Sequence, residues 1–134
     1  MKDTAGTDTK AAFTVTAIDH VQVAVPPGSQ DRSRAFYVDI LGMAEIDKPA
    51  ALKSRGGLWV AAGGQQLHLG VEQDFRPARK AHPAFRVDNI DSTAKRIAEA
   101  GYDVAWASPQ EIPGRRRFFT ADPFGNRLEF IAEL

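Results

Sequence analysis

The chain carries three histidines, His20, His68 and His82, and no cysteine. Thiolate ligands, thiol nucleophiles, disulfides and iron–sulfur clusters are therefore excluded. Metal ligation or acid–base work near neutral pH falls to these imidazoles and to the carboxylates. Their spacing is informative. His20 and His68 are 48 residues apart, and His82 and Glu129 are 47 apart. A lone strand histidine is more often structural than a ligand, and Glu129 alone reads equally well as an exposed carboxylate. Four such residues at matched separations instead suit a borderline divalent ion: Fe, Mn, Ni, Co or Zn. His20, His82, Glu129 and His68 are the candidate metal ligands, and nothing in the sequence calls for an organic cofactor.

The elements that must position these residues form a repeat. Ile18–Val25 alternates as a strand, and Pro26-Pro27-Gly28 ends it. Ser29 is placed to cap a helix running to about Leu41, with Gly42 at its C-terminal end. A strand fits around 43–47. Leu52–Ala62 and Gln65–Val71 then flank Gly63-Gly64 as a hairpin. The order recurs: a strand over His82–Val87, a helix capped by Asp91 and ending at Gly101, a strand over Tyr102–Ala107, and a Pro/Gly loop over 108–114. Arg116–Ala121 and Arg127–Ala132 form the closing hairpin around Asp122 and Asn126, which build its turn. This pattern predicts an α+β fold of two tandem βαβββ modules, 14–74 and 80–134, whose curved mixed sheets form a cleft within one domain. Residues 1–13 are polar and aperiodic and read as a flexible tail.

Each strand turns its Val, Leu and Phe residues toward its helix, which leaves the other face polar. Alternation then puts His20, His68, His82 and Glu129 on the faces away from the helices, lining a shared cleft if the sheets face one another. Gln22 and Gln66 share that face with the first pair of histidines, and Trp59 is placed to line the pocket. Arg86 lies on the His82 face, where it would hold a substrate carboxylate or pair with Glu129. Arg115-Arg116-Arg117 precedes Phe118-Phe119, either as an anion-binding edge or as a solvated strand entry. Gln22, Gln66, Trp59, Arg86 and Phe119 are thus the candidate substrate-binding residues.

Composition narrows the partners. Seventeen basic and seventeen acidic residues cancel, so the broad positive field used for nucleic-acid or anionic-membrane binding is missing. No apolar run approaches the roughly 20 residues of a membrane span. A small-molecule ligand is expected, and the lack of cysteine and of a secretory leader pattern points to the cytoplasm.

The segments IDHVQVAV (18–25), AFYVDILGM (35–43), HPAFRVDNID (82–91) and above all DPFGNRLEF (122–130) resemble the vicinal oxygen chelate superfamily. That superfamily includes glyoxalases, extradiol dioxygenases, methylmalonyl-CoA epimerases, fosfomycin-resistance enzymes and bleomycin-resistance proteins. The resemblance covers about residues 16–134. It implies metal ligands on the first and fourth strands of each module, with His20, His82 and Glu129 matching the usual trio. It further implies an enzyme of lyase, isomerase or dioxygenase type that chelates a small oxygenated substrate and stabilises an enolate or oxyanion. Glu129 or His68 would move the proton as catalytic residues, and the chain would be a homodimer. Glyoxalase I has a glutamate where His68 stands. With one carboxylate rather than two, the ion and its ligands carry about +1, which favours an anionic oxygen ligand over glyoxalase I chemistry. The alternative implied by the same resemblance is a metal-free protein of bleomycin-resistance type that sequesters an antibiotic or other small molecule.

Overall fold

The computed structural model describes residues 11–134, so residues 1–10 of the expected tail lie outside the described residues. In β1 (His20–Val25), Val23 and Val25 are buried while His20 and Gln22 face outward. Val21 lies on the same face as the two buried valines, yet it is exposed. β1 pairs in parallel with β4 (Gln65–Val71), and a parallel pair requires a crossover. The helical segment after β1 supplies it. β4 runs antiparallel to β3 (Leu58–Ala62), and β3 antiparallel to β2 (Ala44–Ile46), giving the order β1-β4-β3-β2.

The second sheet repeats this as β5-β8-β7-β6. Its strands are β5 (Ala84–Arg86), β6 (Ala105–Trp106), β7 (Arg115–Ala121) and β8 (Arg127–Glu133). The duplication extends to register. Gln22 sits opposite His68, and Ala84 sits opposite Glu129. In each module the fourth-strand candidate is therefore paired with the residue two past the first-strand histidine.

Several local expectations are corrected. Ser29 does not cap α1 (Gln30–Ser33); its hydroxyl donates to the Pro26 carbonyl instead. The helix continues over Arg34–Ile40 in the wider π form, with Leu41 N–H donating to Phe36 O. Phe36 and Tyr37 are consecutive and both fully buried, and Ile40 and Leu41 pack against the same core. Asn89, rather than Asp91, caps α2 (Ile90–Glu99) by accepting from Ser92 N–H. Residues Ala50–Arg55 form a 3-10 turn instead of the start of a strand. Gly56 and Gly57 then turn the chain at positive φ, and a Cβ on Gly57 would run into the Leu69 carbonyl. The strand expected over Tyr102–Ala107 is confined to Ala105–Trp106.

The two modules share one apolar core. Val25, Phe36, Leu58, Val60, Leu67 and Leu69 from the first join Ile90, Ile97, Phe118, Leu128 and Phe130 from the second. Phe36 packs on Tyr102 at 4.8 Å, and the Arg96 guanidinium donates to the carbonyls of Ile40 and Asp39. Polar bonds join the modules through the β7–β8 turn. The Asp122 carboxylate, 3% exposed, accepts from Tyr37 Oη at 2.7 Å and from the backbone N–H groups of Phe124 and Asn126. Asn126 donates to Ala24 O in β1 and accepts from Ala78 N–H in the connector. Burial first, and the adjacent Asp122 second, raise the Tyr37 phenol well above its ordinary pKa, so it stays a donor.

Removing one partner of a buried bond leaves the other unsatisfied, which costs about 1–3 kcal/mol and more beside a charge. Tyr37→Phe is therefore expected to lower stability by about 1–3 kcal/mol, and Asp122→Ala by roughly 3–5 kcal/mol. Urea denaturation with unchanged m-values checks both.

Candidate functional site

The first sheet presents an aromatic stack on the face away from the core. His68, 5% exposed, lies between Trp59, whose ring is parallel at 3.7 Å, and His20 at 4.2 Å. Register explains the first contact, since Trp59 on β3 is directly opposite His68 on β4. His68 Nε2 donates to Gln66 Oε1 at 2.9 Å, which leaves Nδ1 with its lone pair. Desolvation, then the neighbouring His20, lowers the His68 pKa below the ordinary imidazole value. His20 is exposed, with Nδ1 at 2.9 Å from Asp19 Oδ1. Gln22 lies over Gly70, where a Cβ would come within 2.8 Å of its amide; the glycine makes room for it.

The second sheet presents a different set. His82 Nδ1 donates to the Lys80 carbonyl at 2.9 Å, and Nε2 lies 2.9 Å from Glu129 Oε1. The backbone carbonyl can only accept, so the Nδ1 position carries a proton. In the neutral ring Nε2 then aims a lone pair at a carboxylate oxygen. Two electron-pair donors so close call for a cation between them, either a proton or a metal ion. An imidazole held through its far nitrogen by a carbonyl is the usual arrangement of a metal-binding histidine. Glu129 is 7% exposed, and its second oxygen faces Arg117 Nη1 at 3.5 Å. Arg117 also binds Glu111 at 2.7 Å. Phe119, opposite Glu129 in register, meets the His82 ring edge-on at 5.5 Å.

The candidate ligands are thus gathered as two pairs, His20 with His68 and His82 with Glu129. Among the described residues no group of three His, Asp or Glu side chains is close enough to hold a metal ion. The four do not gather at one point, although a groove between the modules is lined by Gln22 and Gln66 of the first and by His82 and Arg86 of the second. Arg86 does not pair with Glu129. It is exposed and its nearest acid is Glu133, at 3.5 Å. Of the arginine run, Arg116 binds Asp91 through two bonds of 2.9 Å and stacks on Trp106, so Arg117 alone reaches Glu129. Sequence reasoning did not single out Arg117, although β7 alternation puts it on the same face as Phe119. Arg127 was likewise missed; it shares the Glu129 face of β8 by the same rule.

Fold and sequence together assign the chain to the Glyoxalase/Bleomycin resistance protein/Dioxygenase superfamily, whose profile matches residues 17–130. A glyoxalase family protein from Bacillus anthracis is 45% identical, with a TM-score of 0.87 over 92% of this chain and 100% of that one. TnmS3, an antibiotic binding protein from Streptomyces sp. CB03234, is 27% identical, with a TM-score of 0.66 over 90% of this chain and 100% of its own. The fosfomycin resistance protein FosX from Listeria monocytogenes shares the fold at 16% identity, with a TM-score of 0.71 over 90% of this chain and 96% of its own. None of the curated protein sequences matches.

A histidine whose folded-state pKa is depressed contributes stability that is fully present above its unfolded value of 6.5 and is lost as pH falls toward the folded value. The thermal midpoint of chelator-treated protein is therefore expected to drop between pH 7 and pH 5. The drop should be shallower in His68→Gln, as differential scanning calorimetry at matched ionic strength will show.

Proposed function

We propose that this superfamily member is a metal-dependent enzyme that chelates a small oxygenated substrate on a divalent ion. His82 and Glu129 of one chain and His20 of a second copy are the ligands, with His68 beside them. The observation that carries this reading is the His82–Glu129 pair, whose facing donors 2.9 Å apart suit a shared cation. The donor set fits a divalent ion in kind, and one chain supplies two of its members at one point. When bound, such an ion polarises the chelated oxygens of the substrate as a Lewis acid. The chain's own residues do the remaining work. The Lys80 carbonyl fixes the His82 ring, Arg117 restrains the far oxygen of Glu129, and Phe119 shields the pair from water. Glu129 holds or returns a proton at Oε1, and His68 Nδ1 is the neutral base on the opposing sheet.

The second copy is supported by an apolar run beside His20. Phe13, Val15, Ile18 and Val21, on the segment leading into β1, are all exposed, and exposed apolar surface of this kind is commonly covered in assemblies. A two-fold dimer would place each His20 at the partner's pair, giving two equal sites. The Trp59–His68–His20 stack, together with the likeness to TnmS3, supports a second reading in which the protein sequesters a flat aromatic molecule without metal.

Elemental analysis of untagged protein after exposure to Fe, Mn, Ni, Co and Zn separates the two. The metal reading expects about one ion per chain, lost in His82→Ala and in Glu129→Ala. Mixing His20→Ala with Glu129→Ala should restore one intact site per mixed dimer. Wild-type protein that retains no metal would refute the enzyme reading and leave the sequestering one.

A further inference from the structure

Among the described residues, three arginines of the second sheet meet carboxylates, while Arg115 and Arg127 form no ion pair. Arg115 is exposed at the start of β7, whereas Arg127 lies beside the His82–Glu129 pair. Arg117 is held by Glu111 and Glu129, Arg116 by Asp91, and Arg86 lies at Glu133. Arg127 is half-buried, and its guanidinium carbon lies 4.2 Å from the centre of the Phe119 ring. Among the described residues no carboxylate forms an ion pair with it. Stacking on an aromatic face holds a guanidinium flat while leaving its in-plane N–H donors free at the rim. A half-buried guanidinium with free in-plane donors suits an oxyanion.

Its position gives that anion a purpose. Arg127 and Glu129 lie on the same face of β8, about 7 Å apart along the strand. Phe119 touches both the Arg127 guanidinium and the His82 ring, and His82 and Arg127 line one groove. The charge of Arg117 is offset by two carboxylates, whereas Arg127 has no ion pair among the described residues.

We propose that Arg127 is the anion anchor of the site. The substrate is then a small acid whose carboxylate or phosphoryl-type oxyanion lies on the Arg127 fork while its other oxygens reach the His82–Glu129 pair. The substrate assignment rests on the chelating-enzyme reading; the anion site itself is tested without metal. Chelator-treated, 15N-arginine-labelled protein is titrated with inorganic phosphate, and the side-chain Nε–Hε signals are followed by NMR. The Arg127 signal is identified by its loss in Arg127→Lys. Saturable movement of that signal is expected, with affinity at least tenfold weaker in Arg127→Met. Arg127→Lys, which keeps the charge without the planar fork, should fall between. Arg34→Met, in the first module where Arg34 is held by Glu45, should bind as wild type. Phosphate affinity within twofold of wild type in Arg127→Met, or movement confined to other arginine signals, would overturn the anchor. Loss of phosphate binding together with loss of the cooperative melt in Arg127→Met shifts the decision to Arg127→Lys, where unchanged affinity would also overturn it. Failure here leaves the metal analysis standing, and failure of the metal analysis leaves the anion site standing.

Discussion

One buried carboxylate organises the molecule. Asp122 accepts four hydrogen bonds: two from backbone N–H groups of its own turn, one from Asn126 Nδ2 and one from the Tyr37 phenol of the other module. A buried carboxylate is tolerated only when its lone pairs are filled, so the turn, the helix bearing Tyr37 and the turn's own Asn126 are fixed together. Asn126 extends the constraint to the β1 backbone and to the connector. The modules cannot slide or rotate past each other without breaking this set. That is why their apolar sides form one core and their polar sides are left for chemistry.

The polar sides then follow from strand parity and register. On the first sheet the residue opposite His68 is an indole, so imidazole meets π-surface and is stacked and desolvated. On the second, the fourth-strand position is a carboxylate with an arginine and a phenylalanine on the neighbouring strand, so imidazole meets charge. The same βαβββ scaffold thus gives one face suited to flat neutral groups and another suited to ions.

Much of this was legible in the sequence, and the boundary is physical. Period-2 alternation fixes which face a strand residue takes, so His20, His68 and Glu129 lie opposite the buried apolar residues of their strands as expected, whereas His82 precedes β5, which begins at Ala84 rather than at 82. The glycines at 42 and 101 end their helical segments at positive φ as expected. Parity cannot say which module faces lie against each other, because both amphipathic halves satisfy the same pattern whether the helices or the polar faces meet. Pairing of His20 with His68 and of His82 with Glu129, rather than all four together, lay beyond that signal. Ion pairing was similarly hidden. Arg86 and Arg117 look alike as alternating strand arginines, and only the loop carrying Glu111 and the far end of β8 decide which is bound to what.

The stacked imidazole at His68 and the imidazole at His82 do not occupy equivalent positions of the duplicated unit, since His68 corresponds to Glu129 and His20 to His82. The exchange of one carboxylate for one imidazole breaks the internal two-fold symmetry. A symmetric pair of halves would offer a ligand two indistinguishable orientations. Here the halves differ in polarity, an indole standing opposite the fourth-strand imidazole in one and a phenylalanine opposite the fourth-strand carboxylate in the other, so the two faces are chemically distinguishable.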